Sequence, residues 1–210
     1  MKLNTPIRAN KSLTVVNMLG GPGVGKSVLR SQTFIELKLQ HLPVEEVSEY
    51  AKDMVWDQRH NMFIEQDMML TQQYWRLRRL VLNDIEVAIT DTSLLLGFIY
   101  SPADYFPTFF DHMLSLYYSF NNINIFLRRG NFPYQQEGRN QTLEQAHIKD
   151  MEVIDKIVIA NSLPVYVLTA GDSENANTIA DIVLGKSDLC LLNPATLSRS
   201  DLVKKICGTA

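Results

Sequence analysis

The chain has 210 residues, enough for one domain with a sizeable core and a small appendage. Its formal charge of -3 excludes a general affinity for polyanions, so contact with nucleic acid would need a local basic patch. No apolar run reaches membrane-spanning length and the first residues lack a signal-like core, which predicts a cytoplasmic protein whose two cysteines, Cys190 and Cys207, match no metal spacing and are reduced.

Residues 1 to 12 read as a polar leader. Leu13 to Leu19 is β-rich and mostly apolar, as expected of a strand buried on both faces. It runs into Gly20-Gly21-Pro22-Gly23-Val24-Gly25-Lys26-Ser27, which fits G-x-x-x-x-G-K-[ST]. The glycines let successive backbone N–H groups turn toward an anion, Lys26 reaches β- and γ-phosphates, and Ser27 can ligate Mg²⁺. A glycine turn that contains Lys-Ser by chance would lack this context, because a helical pattern follows from Lys26 to Pro43. Gly21, Gly23, Val24, Gly25, Lys26, Ser27 and Val28 are therefore the expected ATP contacts.

Val44 to Val47 predicts a second strand. In an open parallel sheet, ligands bind beyond the carboxyl ends of strands, so Glu49 falls where an acceptor would lie; capping a helix is the competing role. Residues 54 to 83 predict one long or broken helix. On it Trp56, Tyr74 and Trp75 are expected in the core or lining a groove, and Arg76, Arg78 and Arg79 on a solvated face. Val87 to Thr90 is a third strand, ending in Asp91-Thr92-Ser93. An acid at that strand end can hold Mg²⁺ opposite Ser27 or accept a proton from an attacking hydroxyl.

The aromatic-rich stretch Gly97 to Phe120 is expected mainly in the core. Ile123 to Leu127 forms a further strand and leads into a polar, glycine-punctuated segment from Arg128 to Thr142. Arginines on such a loop between strand and helix suit a lid that closes over a triphosphate, with Arg128 and Arg139 as leading candidates and Arg129 behind them. Pro164 to Leu168 predicts a last strand and Gly171 to Leu184 a turn and helix. Residues 1–184 thus form the predicted domain, and 185–210 a C-terminal tail with a short helix.

Taken in order and spacing, Gly20 to Ser27, Glu49 to Asp53, Thr90-Asp91-Thr92 and Pro133-Tyr134 through Glu137-Gly138-Arg139 resemble the motifs of ribosylnicotinamide-kinase-like P-loop proteins over residues 13 to 184. The chain is also similar to bacteriophage AAA-domain ATPases and to phage kinases acting on 5-hydroxymethyluracil in DNA. Ser93, and Glu137 beside Gly138, stand where ribosylnicotinamide kinases commonly carry aspartates. The resemblance implies an α/β fold of nucleoside- or nucleotide-kinase type, a parallel sheet flanked by helices with an arginine-bearing lid. It implies ATP as phosphoryl donor and a hydroxyl acceptor. The residues then fit an ATP- and Mg²⁺-dependent phosphotransferase in which Lys26 holds phosphates, Ser27 and Asp91 hold the metal, Asp91 or Glu49 is the base, and Arg128 and Arg139 stabilise charge. A nucleoside, a nucleotide or a hydroxymethylated pyrimidine in DNA would be the acceptor, and an oligomer is allowed. Two alternatives remain at this level: an ATPase that remodels a partner, disfavoured because no second acid adjoins Asp91, and a nucleotide sensor without turnover.

Overall fold

The computed structural model describes residues 12–102, 104–131, 133–134 and 142–208. The strands β1 (Thr14–Leu19), β2 (Val44–Val47), β3 (Val87–Thr90), β4 (Asn121–Arg128) and β5 (Tyr166–Thr169) form one parallel sheet. Their order is β2-β3-β1-β4-β5. The chain leaves β1 toward one edge and later crosses to the other, so the carboxyl ends of β1, β3 and β4 flank a crevice.

Side-chain alternation along the strands sorts the core into two layers. Val16, Met18, Ile89, Ile125 and Leu127 pack against Leu29 and Leu37 of α1 (Lys26–Leu39) and Ile179 and Ile182 of α7 (Asn175–Val183). Val15, Leu19, Ala88 and Phe126 face the other way. They meet Leu70, Leu77 and Leu80 of α3 (Gln66–Val81), Ile99 of α4 (Gly97–Tyr100), and Phe109, Met113 and Tyr117 of α5 (Phe109–Tyr117). The aromatic stretch thus contributes core, with Phe109 and Tyr117 almost fully buried.

Between β2 and β3 the expected long or broken helix takes the broken form. The helix α2 (Tyr50–Trp56) stops at Asp57, Gln58 turns left-handed, and a 3-10 turn (His60–Ile64) precedes α3. Two aromatics expected in the core or lining a groove are instead exposed. Trp56 ends α2 at 84% exposure, and Trp75 is 56% exposed because the buried stripe of α3 runs through Leu70, Gln73, Leu77 and Leu80. Tyr74 does pack inward, against Phe120. Arg76 is not simply solvated: it pairs with Asp53, donates to Ser48 O and Oγ, and lies over the Tyr50 ring, tying α3 to α2.

A capping box formed by Thr142 and Gln145 starts α6 (Leu143–Glu152), which continues as a π-helical turn, Val153–Ile159, buried on the sheet. The tail does not hang free of this core. Leu192 pairs with Val165, and α8 (Arg199–Cys207) buries Leu202 and Ile206 in the same layer as α3 and α5. Both cysteines are unpaired and exposed. Among the described residues no helix is long and apolar enough to cross a membrane.

Candidate active site

Three backbone turns set the loop between β1 and α1. Gly20, Gly23 and Gly25 all have positive φ, and at Gly23, φ +77°, a Cβ would collide with the Tyr134 ring. Gly25 caps α1 without any side-chain bond to the first turn, so the helix presents its N–H groups toward the loop. Lys26 folds back and donates to Gly20 O at 2.7 Å and Gly21 O at 2.8 Å. Burial lowers its pKa to about 8, against the raising influence of Glu49, Asp91 and Asp150.

Ser27, the second residue of α1, and Asp91, just past β3, meet directly: the Ser27 hydroxyl donates to Asp91 Oδ2. Lys52 of α2 donates to the same Oδ2 at 2.9 Å and to Ser27 Oγ at 3.1 Å. Arg30 closes the cluster through Asp91 Oδ1, at 2.9 Å, while bonding Glu46. Burial pushes the Asp91 carboxyl up, but the Ser27 and Lys52 bonds and the charges of Lys52 and Arg30 outweigh it and hold the group below its ordinary range. The Lys52 ammonium stands in for a cation gripped by one hydroxyl and one carboxylate oxygen, the hard donors that suit Mg²⁺. Among the described residues there is no cluster of three or more His, Cys, Asp or Glu that could hold a metal ion.

Glu49 occupies the N-cap position of α2, yet its side chain makes no capping bond. The carboxylate is therefore not committed to the helix end. Burial raises its pKa, partly countered by Lys52 and Lys26. Two carboxylates on adjacent strand ends are thus driven apart. Asp91 is made harder to protonate and Glu49 easier.

Three cavities surround this cluster. One of about 330 Å³ lies over the loop and is lined by Lys26, Glu49, Lys52, Asp91, Tyr100 and Lys149. A second, of about 480 Å³, shares Glu49 and Tyr100 with it and extends between α2, α3 and the segment Thr92 to Gly97. A third, of about 520 Å³, lies on the other side of the loop, against Val28, Gln32, Leu127 and the Gly171-Asp172-Ser173 turn. Gly23, Val24, Gly25 and Val28 line that third cavity, and Gly21 lines the first.

The arginines are arranged differently from the sequence expectation. Arg128 shares the strand face of Phe126, where its Nε donates to Thr169 Oγ1 at 2.6 Å and its guanidinium lies against Gly208 beyond α8. It is not brought to the loop. Arg129, one residue past the strand, turns to the loop instead. Its Nη2 donates to Pro22 O at 2.9 Å and its Nε to Asp150 Oδ2 at 2.6 Å, while Asp150 Oδ1 accepts from Gly21 N. Arg139 lies outside the described residues. Lys52, Arg30, Lys149 and Asp150 were not singled out as functional in the sequence. Arg30 carries a signal in its spacing, one turn beyond Ser27 on α1; Asp150 carries none, since only packing of α6 brings it to Gly21.

Neither a family model nor a curated protein matches the chain. Solved structures are similar to it in fold. A NadR protein in complex with NR superposes with a TM-score of 0.55 at 14% identity, over 86% of this chain and 53% of that one, so the chain spans about half of that protein's length. A thymidylate kinase from Ehrlichia chaffeensis gives a TM-score of 0.54 at 12% identity, over 83% of this chain and 98% of that one. With its parallel sheet, flanking helices and phosphate-loop turn, the chain has an α/β fold of P-loop kinase type.

Proposed function

We propose that the chain is an ATP- and Mg²⁺-dependent phosphotransferase that moves the γ-phosphate to an acceptor hydroxyl. The candidate acceptors are a nucleoside, a nucleotide and a hydroxymethylated pyrimidine in DNA. The observation that carries this reading is Glu49: an uncommitted carboxylate of raised pKa at the junction of the loop cavity and a larger, mainly apolar one. A pure ATPase needs no such second chamber. The names of the structural neighbours, a thymidylate kinase and a NadR protein in complex with NR, are consistent with an acceptor of nucleoside or nucleotide kind.

In this reading the triphosphate lies in the loop cradle, with its base toward the cavity beside the Gly171 turn. Lys26 releases the loop carbonyls and turns to the β- and γ-phosphates. Ser27 and Asp91 would hold Mg²⁺, which neutralises phosphate charge when bound. Lys52 and Arg30 keep Asp91 ionised. Glu49 accepts the acceptor's hydroxyl proton, so the oxygen attacks the γ-phosphorus as the bond to the β-phosphate oxygen breaks and ADP leaves. Arg129 holds the loop backbone in shape, Arg139 is proposed to carry transferring charge, and Arg128 keeps a supporting place on β4. Host cytoplasm, if the protein is phage-encoded, and DNA modification belong to this proposal as its DNA-acceptor branch.

The test incubates the protein with γ-labelled ATP, Mg²⁺ and panels of nucleosides, nucleotides and hydroxymethylated DNA. Label is expected on an acceptor hydroxyl. Release of free phosphate alone, across the whole panel, would overturn the proposal.

A further inference from the structure

Asp91 uses its two carboxylate oxygens differently. Oδ1 accepts from Arg30, whose side chain is 14% exposed and also bonds Glu46, so this contact belongs to the scaffold between α1 and the sheet. Oδ2 accepts from the Ser27 hydroxyl and from Lys52, whose side chain is 45% exposed and lines the loop cavity.

Lys52 is not what fastens α2. Arg76 pairs with Asp53 and bonds Ser48, and Gln73 accepts from Tyr50 N, so the start of the helix is fixed to α3 without it. The ammonium rides on a flexible four-carbon stem and can leave its partners while the helix stays in place.

The place it fills is the one a divalent cation would need. Its Nζ lies 3.1 Å from Ser27 Oγ and 2.9 Å from Asp91 Oδ2, the two oxygens proposed to hold Mg²⁺. Two cations on one pair of oxygens repel, and Mg²⁺ keeps waters that need the same room, so the two occupants exclude each other. A bare metal ion must break the charge-assisted bonds of Lys52 and give the ammonium nothing in return. A metal ion arriving with a triphosphate brings the replacement: in the proposed pose the γ-phosphate enters the cavity lined by both Lys26 and Lys52. A diphosphate lacks that group.

We infer that Lys52 is a place-holding cation of the metal site, ceding Ser27 Oγ and Asp91 Oδ2 to Mg²⁺ and taking the γ-phosphate in exchange. This rests on the metal and phosphate placement of the phosphotransferase reading and deepens it. The exchange shuts out metal that comes alone and favours triphosphate over diphosphate, so the donor is held and ADP is let go. Arg30 stays on Oδ1 throughout.

Two binding measurements on the full chain test it, neither needing turnover. Electron paramagnetic resonance of free Mn²⁺, standing in for Mg²⁺, reads metal affinity without nucleotide. Lys52→Met is expected to bind the ion about tenfold or more tighter than wild type, the removal of a competing charge-assisted bond. Such a gain cannot come from loss of fold. Calorimetry with Mg²⁺ then compares a non-hydrolysable ATP analogue with ADP, and the preference for the triphosphate is expected to fall about tenfold or more in Lys52→Met. Lys38→Met removes a charge at the far end of α1, where Lys38 pairs with Glu45, and should change neither quantity. Unchanged metal affinity or unchanged triphosphate preference in Lys52→Met, or the same changes in Lys38→Met, overturns the inference and leaves the phosphotransferase reading standing. If both quantities change as expected but label never reaches an acceptor, that reading alone fails; failure of the wild type to bind the analogue sinks both.

Discussion

Glu49 and Asp91 each lie just past the end of one of two neighbouring strands, β2 and β3, yet their surroundings push them in opposite directions. Asp91 has a hydroxyl, an ammonium and a guanidinium on its two oxygens, so it remains a carboxylate. Glu49 has burial as its dominant influence, and its pKa rises. A base must be deprotonated to act, and protonation at falling pH removes it. The acid limb of the kcat/KM profile is therefore expected above the ordinary glutamate value of about 4.3. Glu49→Gln should abolish that limb and lower kcat by about 10² to 10⁴; steady-state rates across pH measure both. Lys26 gives a second signature. With a pKa of about 8 in the free protein it is partly neutral at pH 8, and a bound triphosphate favours the charged form. ATP binding at pH 8 should take up about half a proton, falling toward zero at pH 6 where Lys26 is already charged. Titration calorimetry in buffers of different ionisation enthalpy reads the uptake, and Lys26→Met should remove it.

At the scale of elements, α6 matters because of what it does to a loop more than a hundred residues away. Asp150 accepts from Gly21 N and from Arg129, and Arg129 reaches Pro22 O, so one carboxylate and one guanidinium clamp the outer strand of the phosphate loop. The clamp leaves little room at Gly21, where a Cβ would come within 2.6 Å of Ala146 O. Strand alternation explains why the neighbouring Arg128 does something else: it faces α8 and Thr169. Arg129→Met is expected to raise the KM for ATP about tenfold or more, the loss of charge-assisted hydrogen bonds to the loop scaffold. Arg128→Met should lower the melting temperature with a smaller change in KM. Parallel kinetics and thermal melts distinguish the two arginines.

At the scale of the whole molecule, the tail is joined to the core rather than appended to it. Leu202 and Ile206 are 1% and 0% exposed and lie in the layer that also holds Leu70, Phe109 and Ile157. The Arg199–Asp155 pair links α8 to the π-helical turn at the surface, where such a pair adds little, so the buried apolar contacts carry the attachment. Ile206→Ala should destabilise the protein by about 2 to 5 kcal/mol. Truncation after residue 184 should broaden or abolish the cooperative unfolding transition, as denaturant melts would show.

What was legible in the amino-acid order was whatever depends on near neighbours. The apolar run of β1, the glycine-rich turn and the helix start at Lys26 lie within one short stretch, and each is specified by local backbone preference and periodicity. The strand ends that carry Glu49 and Asp91 were legible for the same reason, and so was the parallel sheet, because strands alternate with helices. Relations between distant residues were not. Period-2 alternation in β4 could not assign Arg128 to the α8 face until the layer covering that face was known, and nothing near Gly21 announces Asp150. The exposure of Trp56 depends on a break whose position the helical pattern of 54–83 did not mark. The second chamber exists only where α2, α3 and the β3 end converge. Short-range geometry is written in consecutive residues; which surfaces finally meet is decided by packing of the entire chain.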